Sequence, residues 1–418
     1  MKVFKFGGAS VKDHHGVVNL FKIVKLLKLK KTVIVVSAMG KTTNAFEKVV
    51  NAYFNDLDQI NFFIDEIKKM HSNLIRKLFK DINEELKFKL DKIFSELNSF
   101  IISNKNMNYS YVYDQIVSNG ELLSTLIIHH YLKENGLENT WLDSRICIKT
   151  DSYFRDSNLD WIETEKKINS YVDKNSITIT QGFIGSDSNN YTTTLGREGS
   201  DYSAAIFAYA LNAKSVTIWK DVPGVLNGDP RIFDDFILLN KISYREAIEL
   251  AFYGASVIHP KTLQPLQRKE IPLFVKSFEE PLKDGTSVSK GISIDPNVPC
   301  FILKSNQVLL KMSSKDFSFI VEDNISEIFS LLHKYQMKVE LIQNSAISFS
   351  VCINNKYNRL DELISVLKLK YKVKVYNNVE LYTIRHFDID SIKLLDKFKG
   401  KKILEQRTEK IFQVVKAQ

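Results

Sequence analysis

The chain has 418 residues, of which 44% are hydrophobic and 26% charged, a balance typical of globular domains and not of disordered chains. No apolar stretch approaches the ~18 residues of a membrane span, and the N-terminus enters a strand-like run without an apolar signal segment. We therefore expect a cytoplasmic protein with no membrane contact, built from about two to three domains. Three cysteines show no disulfide or zinc pattern. The net charge is +9, but the lysines are dispersed and form no basic arm, so we expect no nucleic-acid partner.

The first part of the chain alternates strand-like and helix-like segments. Buried β-branched runs at 32–40, 176–185 and 214–224 each stop at a glycine, and 271–278 is a further strand candidate. Continuous apolar strands between helices predict an α/β fold, with an open, mainly parallel sheet sandwiched by helices. Residues 45–110 are charged and periodic, so we interpret them as a helical insertion.

Glycine usage divides the chain, because only Gly400 of the sixteen glycines follows Gly291. We place a domain boundary in the polar, turn-rich stretch 284–299 and expect domains at 1–290 and 300–418. The second domain reads strand–helix–strand–strand, followed by another helix. Two strand-like segments at 371–377 and 379–384, a weaker helix at 389–398 and the segment 409–417 then complete the chain. This order predicts a smaller α+β region that resembles ligand-sensing modules.

The first motif, KFGGAS, begins at Lys5 and continues through Gly7 and Gly8. Glycines let backbone N–H groups approach an anion without a Cβ in the way. A following helix adds the positive end of its dipole, and lysine supplies a compact charge for a phosphate. The pattern indicates a phosphate site, although an isolated K-x-G-G is usually only a turn.

The second motif, GREGSDYSA, presents Arg197, Ser200 and Asp201 before a predicted helix. The planar fork of arginine suits a carboxylate. Ser200 or Asp201 alone could equally be a helix N-cap.

The third motif, DVPGVLNGDPR, leaves a strand at Asp221 and turns twice before Arg231. Tight turns of this kind let backbone surround a nucleotide, and Arg231 can reach a phosphate. The alternative is a surface loop with two turns.

The fourth motif, GELLST, opens a helix with Glu121. A glutamate in a first turn can simply stabilise the helix dipole. The four motifs nevertheless occur in one order across one α/β segment, and most follow predicted strands, where open sheets bind ligands.

Together these residues resemble the aspartate kinases, within the wider amino-acid kinase fold. The family patterns K-F-G-G-[ST]-S, S-A-x-G-x-x-T-N, G-E-L-x-S-T, G-R-[GE]-G-S-D, D-V-P-G-x-x-x-x-D-P-R and G-A-x-V-[IL]-H-P all have counterparts between residues 2 and 290. The resemblance implies phosphorylation of the β-carboxylate of L-aspartate by ATP with Mg²⁺, the first step towards lysine, diaminopimelate, threonine and methionine. The tail is similar to the family's ACT-type regulatory region, which implies a homodimer formed through this region.

The resemblance also assigns roles to residues. It implies catalytic roles for Lys5 and Asp201, and Mg²⁺ held mainly through the ATP phosphates. The implied aspartate-binding residues are Ser37, Thr43, Glu121, Arg197 and Ser200, and the implied nucleotide-binding residues are Lys5, Gly7, Gly8, Lys220, Asp221, Leu226, Arg231 and Ser256.

Two positions depart from the family pattern. Ser256 occupies the place of a lysine in GAKVLHP, and Lys220 stands where threonine or serine is usual. We hypothesise that Lys220 supplies the missing cation, with Lys261 as the fallback; His259 we interpret as structural. The glycine-poor tail suggests dimerisation more than lysine sensing, since family effector sites use glycine turns. Two alternatives stay open: a sister kinase for another acid substrate, and a non-catalytic amino-acid-binding regulator.

Overall fold

The computed structural model describes residues 1–233, 236–255, 258–291 and 293–417. Tertiary contacts divide the chain into two compact units. The first unit comprises Met1–Val225, Leu238–Ile248 and Ser256–Asp295, and the second comprises Leu226–Ile237, Glu249–Ala255 and Pro296–Gln418.

Before residue 296 the chain alternates strands and helices, as its sequence pattern predicts. The strands are β1 (Lys2–Phe6), β2 (Thr32–Val36), β3 (Asn139–Leu142), β4 (Ile177–Gln181), β5 (Ile184–Ser186), β6 (Thr192–Thr194), β7 (Val216–Lys220), β8 (Lys241–Ser243), β9 (Leu273–Ser277), β10 (Thr286–Ser289) and β11 (Ile294–Asp295). The helices are α1 (His14–Leu26), α2 (Thr42–Asn55), α3 (Ile60–Leu78), α4 (Glu84–Ser103), α5 (Tyr109–Val117), α6 (Asn119–Glu134), α7 (Ser144–Cys147), α8 (Trp161–Tyr171), α9 (Gly199–Ala210), α10 (Tyr244–Tyr253) and α11 (Pro260–Arg268), with a 3₁₀ turn at Leu57–Gln59.

The main sheet has the strand order β11-β8-β10-β9-β7-β1-β2-β4-β3. The pairs from β9 to β3 are parallel, as is β8–β10, while β9–β10 and β8–β11 are antiparallel. Strands β2 and β4 are buried along their whole length, as expected for central parallel strands covered by helices on both faces. The predicted α/β class with a mainly parallel sheet is confirmed.

The central strands β1 and β7 place aromatic side chains on one face of the sheet and lysines on the other. Successive residues of a strand point to opposite sides, so the two sets alternate along the chain. On one face Phe6 of β1 stacks on Trp219 of β7, with ring centroids 5.9 Å apart, and Phe4 meets Trp219 edge-on. These rings share a hydrophobic core with Leu20 and Ile23 of α1. The alternate positions of the same strands are Lys5 and Lys220, which therefore face the other side.

The second unit is built on a separate sheet with the order β13-β14-β12-β15-β17-β16, antiparallel throughout. Helices α12 and α13 pack their apolar sides, including Ile328, Leu332, Leu363 and Leu367, into one core with the sheet. The elements are β12 (Cys300–Ser314), α12 (Glu322–Lys334), β13 (Lys338–Ser345), β14 (Ser348–Asn354), α13 (Leu360–Lys370), β15 (Tyr371–Arg385), α14 (Ile389–Leu394), a 3₁₀ turn (Leu395–Lys397), β16 (Lys401–Arg407) and β17 (Ile411–Ala417).

This α+β region is consistent with the predicted ACT-like class. Two details differ from the sequence expectation: the segments at 371–377 and 379–384 form one strand, β15, and β16 was not predicted. Throughout the described ranges, no helix combines the length and the apolar character needed to cross a bilayer.

Candidate active site

Two lysines and one aspartate form the charged centre of the first unit. Lys5 and Lys220 lie at the carboxyl-terminal ends of the adjacent parallel strands β1 and β7. Asp201 lies in the first turn of α9, where its Oδ1 is 2.6 Å from Nζ of Lys5 and its Oδ2 is 3.7 Å from Nζ of Lys220. The Asp201 side chain is buried, so one carboxylate bridges two ammonium groups away from bulk water.

The environment keeps Asp201 ionised. Burial raises the pKa of this carboxyl, but the positive charges of Lys5 and Lys220 outweigh burial and hold the pKa below its ordinary value. Because a buried ion pair needs good geometry to repay desolvation, the short contact with Lys5 restricts where this ammonium can lie. Asp201 is thereby suited to aim Lys5 into the neighbouring cavity.

The glycine turn after β1 lies directly against the loop that follows β2. A Cβ on Gly8 would be 2.7 Å from the carbonyl oxygen of Ala38, and a Cβ on Gly7 would be 3.3 Å from Nζ of Lys5. The N–H of Gly40 donates to the carbonyl oxygen of Gly8 at 3.0 Å. A side chain at Gly8 would therefore separate the two loops, which explains the need for bare backbone here.

Glu121 enters the site from the first turn of α6, which begins after a break between α5 and α6 at Ser118. Its Oε1 accepts a hydrogen bond from the Ala38 N–H at 3.3 Å, while its buried Oε2 has no hydrogen-bond partner in the described part of the chain. Burial raises the pKa of Glu121 to about 8. Such a carboxyl is ready to receive a cation that also donates hydrogen bonds.

A cavity of about 430 Å³ opens at these strand ends. Residues from three of the four sequence motifs and from the SAMGKTTN stretch meet around it, although they are up to about 200 positions apart in the chain. The predicted site residues that line it are Lys5, Gly8, Ser37, Thr43, Glu121, Ser200, Asp201 and Lys220.

Other predicted site residues lie elsewhere. Gly7 is in the same turn, but Arg197 is an exposed residue between Gly196 and Glu198, which do line the cavity, and Asp221 is exposed directly after β7. Leu226 and Arg231 belong to the second unit, where the guanidinium of Arg231 pairs with Asp229 at 2.6 Å. Ser256 lies outside the described residues.

Lys261, the alternative to Lys220 as a replacement for the family lysine, has another partner. Lys261, at the start of α11, forms an ion pair with Asp156. His259 caps the same helix, because its Nδ1 accepts the N–H of Lys261 at 3.2 Å. Of the two lysines that the sequence offered as substitutes at the site, Lys220 is the one that lines the cavity.

Sequence reasoning missed seven residues of the cavity wall, two of which, Phe183 and Glu198, carry large side chains. Both have a left-handed backbone, with φ of 71° and 54°, a conformation that is uncommon for such side chains. Glu198 stands at the Gly-or-Glu position of the second motif, whereas no sequence signal marks Phe183 beyond the glycine before it. Across the described ranges, no group of three or more His, Cys, Asp or Glu side chains is arranged to hold a metal ion.

Comparison with known proteins places this site in a family. Residues 1–277 match the amino acid kinase family. The chain belongs to the amino acid kinase family. In this amino acid kinase, the cavity lies at the carboxyl ends of parallel strands, as in open α/β sheets generally.

The similarity extends beyond the kinase part. The chain is 33% identical to lysine-sensitive aspartokinase 3 of Escherichia coli (strain K12) over 368 residues, which cover 84% of this chain and 78% of that protein. It superposes on the crystal structure of E. coli aspartokinase III in complex with aspartate and ADP (R-state) with a TM-score of 0.82 and 26% identity, covering 100% of this chain and 96% of the other. It is 29% identical to the chloroplastic bifunctional aspartokinase/homoserine dehydrogenase 1 of Arabidopsis thaliana over 84% of this chain, but spans only 40% of that protein.

Proposed function

We propose that this protein is an aspartate kinase, which transfers the γ-phosphoryl group of ATP to the β-carboxylate of L-aspartate. The products are 4-phospho-L-aspartate and ADP, and the reaction stands at the start of the route to lysine, diaminopimelate, threonine and methionine. The observation that carries the proposal is the meeting of Lys5, Asp201, Lys220 and Glu121 around one cavity at the strand ends. This set combines cations for phosphate with an anion for an amino group.

The chemistry needs cations and alignment more than a base. The acceptor carboxylate, with an ordinary pKa near ~3.9, is already ionised at neutral pH and attacks without losing a proton. Its oxygen forms a bond to the γ-phosphorus while the bond from that phosphorus to the β,γ-bridging oxygen breaks, and ADP leaves with the electron pair. Two anions must approach each other. The barrier therefore falls when Lys5 and Lys220 neutralise the negative charge of the phosphoryl group during its transfer.

The phosphates would be held by bare backbone and by the two lysines. At Gly7 the turn leaves backbone without a Cβ beside Nζ of Lys5, and the first turn of α9 adds the positive end of a helix dipole. Mg²⁺, bound mainly through the ATP phosphates, supplies further charge neutralisation. Asp221, Leu226, Arg231 and Ser256 are proposed to contact the rest of the nucleotide.

Aspartate would be recognised by charge at both ends. Glu121 is proposed to receive the α-ammonium group, since its Oε2 is buried and lacks a hydrogen-bond partner in the described part of the chain. Arg197 is proposed to pair with the α-carboxylate, and Ser37, Thr43 and Ser200 to donate hydroxyl groups. A fixed separation of one anion and one cation selects an amino acid over a simple dicarboxylate.

A substrate panel tests the proposal. ADP release is measured by a coupled assay, and hydroxylamine traps any acyl phosphate formed from L-aspartate, L-glutamate, N-acetyl-L-glutamate or carbamate, with UMP as a nucleotide acceptor. We expect trapped product with L-aspartate and its loss in Lys5→Ala. Turnover with another acceptor in preference to aspartate would identify a sister kinase, and amino-acid binding without turnover would identify a regulator.

Residues 300–418 are proposed to be a degenerate ACT-like regulatory and dimerisation region, with residues 1–290 as the catalytic domain. The long shared strands β12 and β15 and the antiparallel sheet support this role. We propose a homodimer formed through this region, which light scattering on the purified chain would test. The cytoplasmic location stays a prediction from the sequence.

A further inference from the structure

A second, smaller cavity of about 200 Å³ adjoins the loops of the active site. Its walls come from the turn before α1, from the residue that precedes α2, and from α3. Gly40 lines this cavity as well as the active-site cavity. The charged and titratable side chains around it are Lys12, Asp13, His14, Lys41, His71 and Lys77.

The charge of this second cavity is strongly positive. Lys12, Lys41 and Lys77 are exposed and form no ion pair within the part of the chain that the structure describes. The carboxylate of Asp13 is already engaged, because it accepts the N–H of Gly16 at 2.9 Å as the N-cap of α1. Three unneutralised ammonium groups around a small cavity favour an anionic ligand.

His71 adds a buried group with an unused nitrogen. The residue is 3% exposed, and its Nδ1 lies 2.8 Å from the carbonyl oxygen of Ile67 in the preceding turn of α3. A carbonyl only accepts, so Nδ1 carries a proton, and the buried Nε2 has no partner among the described residues. In the neutral ring Nε2 presents a lone pair, whereas in the protonated ring it presents a donor.

We propose that this cavity binds a phosphate-type tetrahedral oxyanion and that His71 takes up a proton when the anion binds. Burial lowers the pKa of His71 in the empty cavity. An anion beside the ring favours the charged imidazolium and raises the pKa again. The proton is added at Nε2, which then donates to an anion oxygen, while Lys12, Lys41 and Lys77 contribute charge. This cavity shares Gly40 with the active-site cavity but none of its charged residues, so the proposal does not rest on the proposed kinase reaction.

Calorimetric titration of the full chain with sodium sulfate at pH 6.0 and pH 8.0 tests the proposal. We expect sulfate affinity to be clearly higher at pH 6.0 than at pH 8.0, since only the protonated ring can donate Nε2–H to the anion. Lys77→Gln should weaken binding about tenfold at both pH values, and Lys69→Gln, on the same helix but outside the cavity, should leave it unchanged. Equal affinity in wild type and Lys77→Gln, or no binding, would overturn the site.

The proton partner is tested separately. His71→Gln should reduce the pH dependence to less than about twofold, whereas His14→Gln should retain it. Should His71→Gln fail to fold, the wild-type chain can be titrated with sulfate in buffers of different ionisation enthalpy, which counts the protons taken up on binding. Proton uptake near zero at pH 7 refutes the role of His71. Lys5→Ala should keep its sulfate affinity, and a loss there would assign the signal to the active-site cavity instead.

Discussion

Glu121 makes a specific prediction about proton release when substrate binds. Burial raises its pKa to about 8 in the free protein, although the Ala38 N–H and the backbone N–H of Glu121 itself partly stabilise the charge. At pH 7 such a group is protonated roughly ten times more often than ionised, and ionising it costs about 1.4 kcal/mol. If the α-ammonium of aspartate binds there, it supplies the missing countercharge, and Glu121 must lose its proton.

The number of protons released and the pH dependence of aspartate affinity follow from the pKa of Glu121. Binding of L-aspartate at pH 7 should release about 0.9 proton per site, and the affinity should rise about eightfold between pH 7 and pH 8.5. Titration calorimetry in HEPES and in Tris, whose ionisation enthalpies differ, measures the protons released from the difference in apparent binding enthalpy.

The matched control is Glu121→Gln, which keeps the shape of the side chain but has no proton to lose. This variant should bind aspartate more weakly at pH 8.5 and show no buffer dependence. The reasoning is refuted if wild-type binding enthalpy is the same in both buffers, or if Glu121→Gln releases as many protons as the wild type.

Four further outcomes are expected. Lys220→Thr should raise the KM for ATP and lower turnover at least tenfold in the ADP-release assay, and unchanged values would disprove the substitution of Lys220 for the family lysine. Asp201→Asn leaves Lys5 buried without its counterion, so turnover should fall roughly a hundredfold and the melting temperature should drop; wild-type behaviour would contradict the positioning role. Glu121→Gln should melt above wild type at pH 9 but not at pH 4, because a carboxyl raised from 4.5 to about 8 loses its contribution to stability as the pH rises through that window. Lysine and threonine, each titrated into the assay, should leave the rate unchanged if the tail serves dimerisation, and clear inhibition by either would refute that reading.

Local patterns were sufficient for most of the fold. The buried runs of β2, β4 and β7 are rich in β-branched residues and are each followed by a glycine, so they predict central parallel strands without tertiary information. β3 escaped prediction because its four residues, Asn139–Leu142, carry too little pattern at the edge of the sheet. β15 read as two strands because polar residues interrupt its apolar pattern where it continues as one strand beside β12.

Some residues of the candidate site could likewise be predicted from the sequence, and others could not. The glycines, lysines and acids could be selected from the sequence because their spacing follows a recognisable pattern of phosphate and amino-acid recognition. The left-handed residues Phe183 and Glu198 could not, since backbone conformation at one residue is decided by how its neighbours pack. Nor could the assignment of Leu226 and Arg231 to the second unit, which depends on contacts made by residues far along the chain.

The amino-acid sequence by itself determined the alternation of strands and helices, the residue types of the phosphate turn and the presence of Glu121 at a helix start, because each depends on neighbours within a few positions. Only the tertiary structure decided that Lys5 and Lys220 share one carboxylate, that Ala38 meets both Gly8 and Glu121, and that Glu121 holds its proton at neutral pH. The physical reason is that electrostatic energy depends on distance and on exclusion of water, and both are set by packing between segments that the sequence keeps far apart.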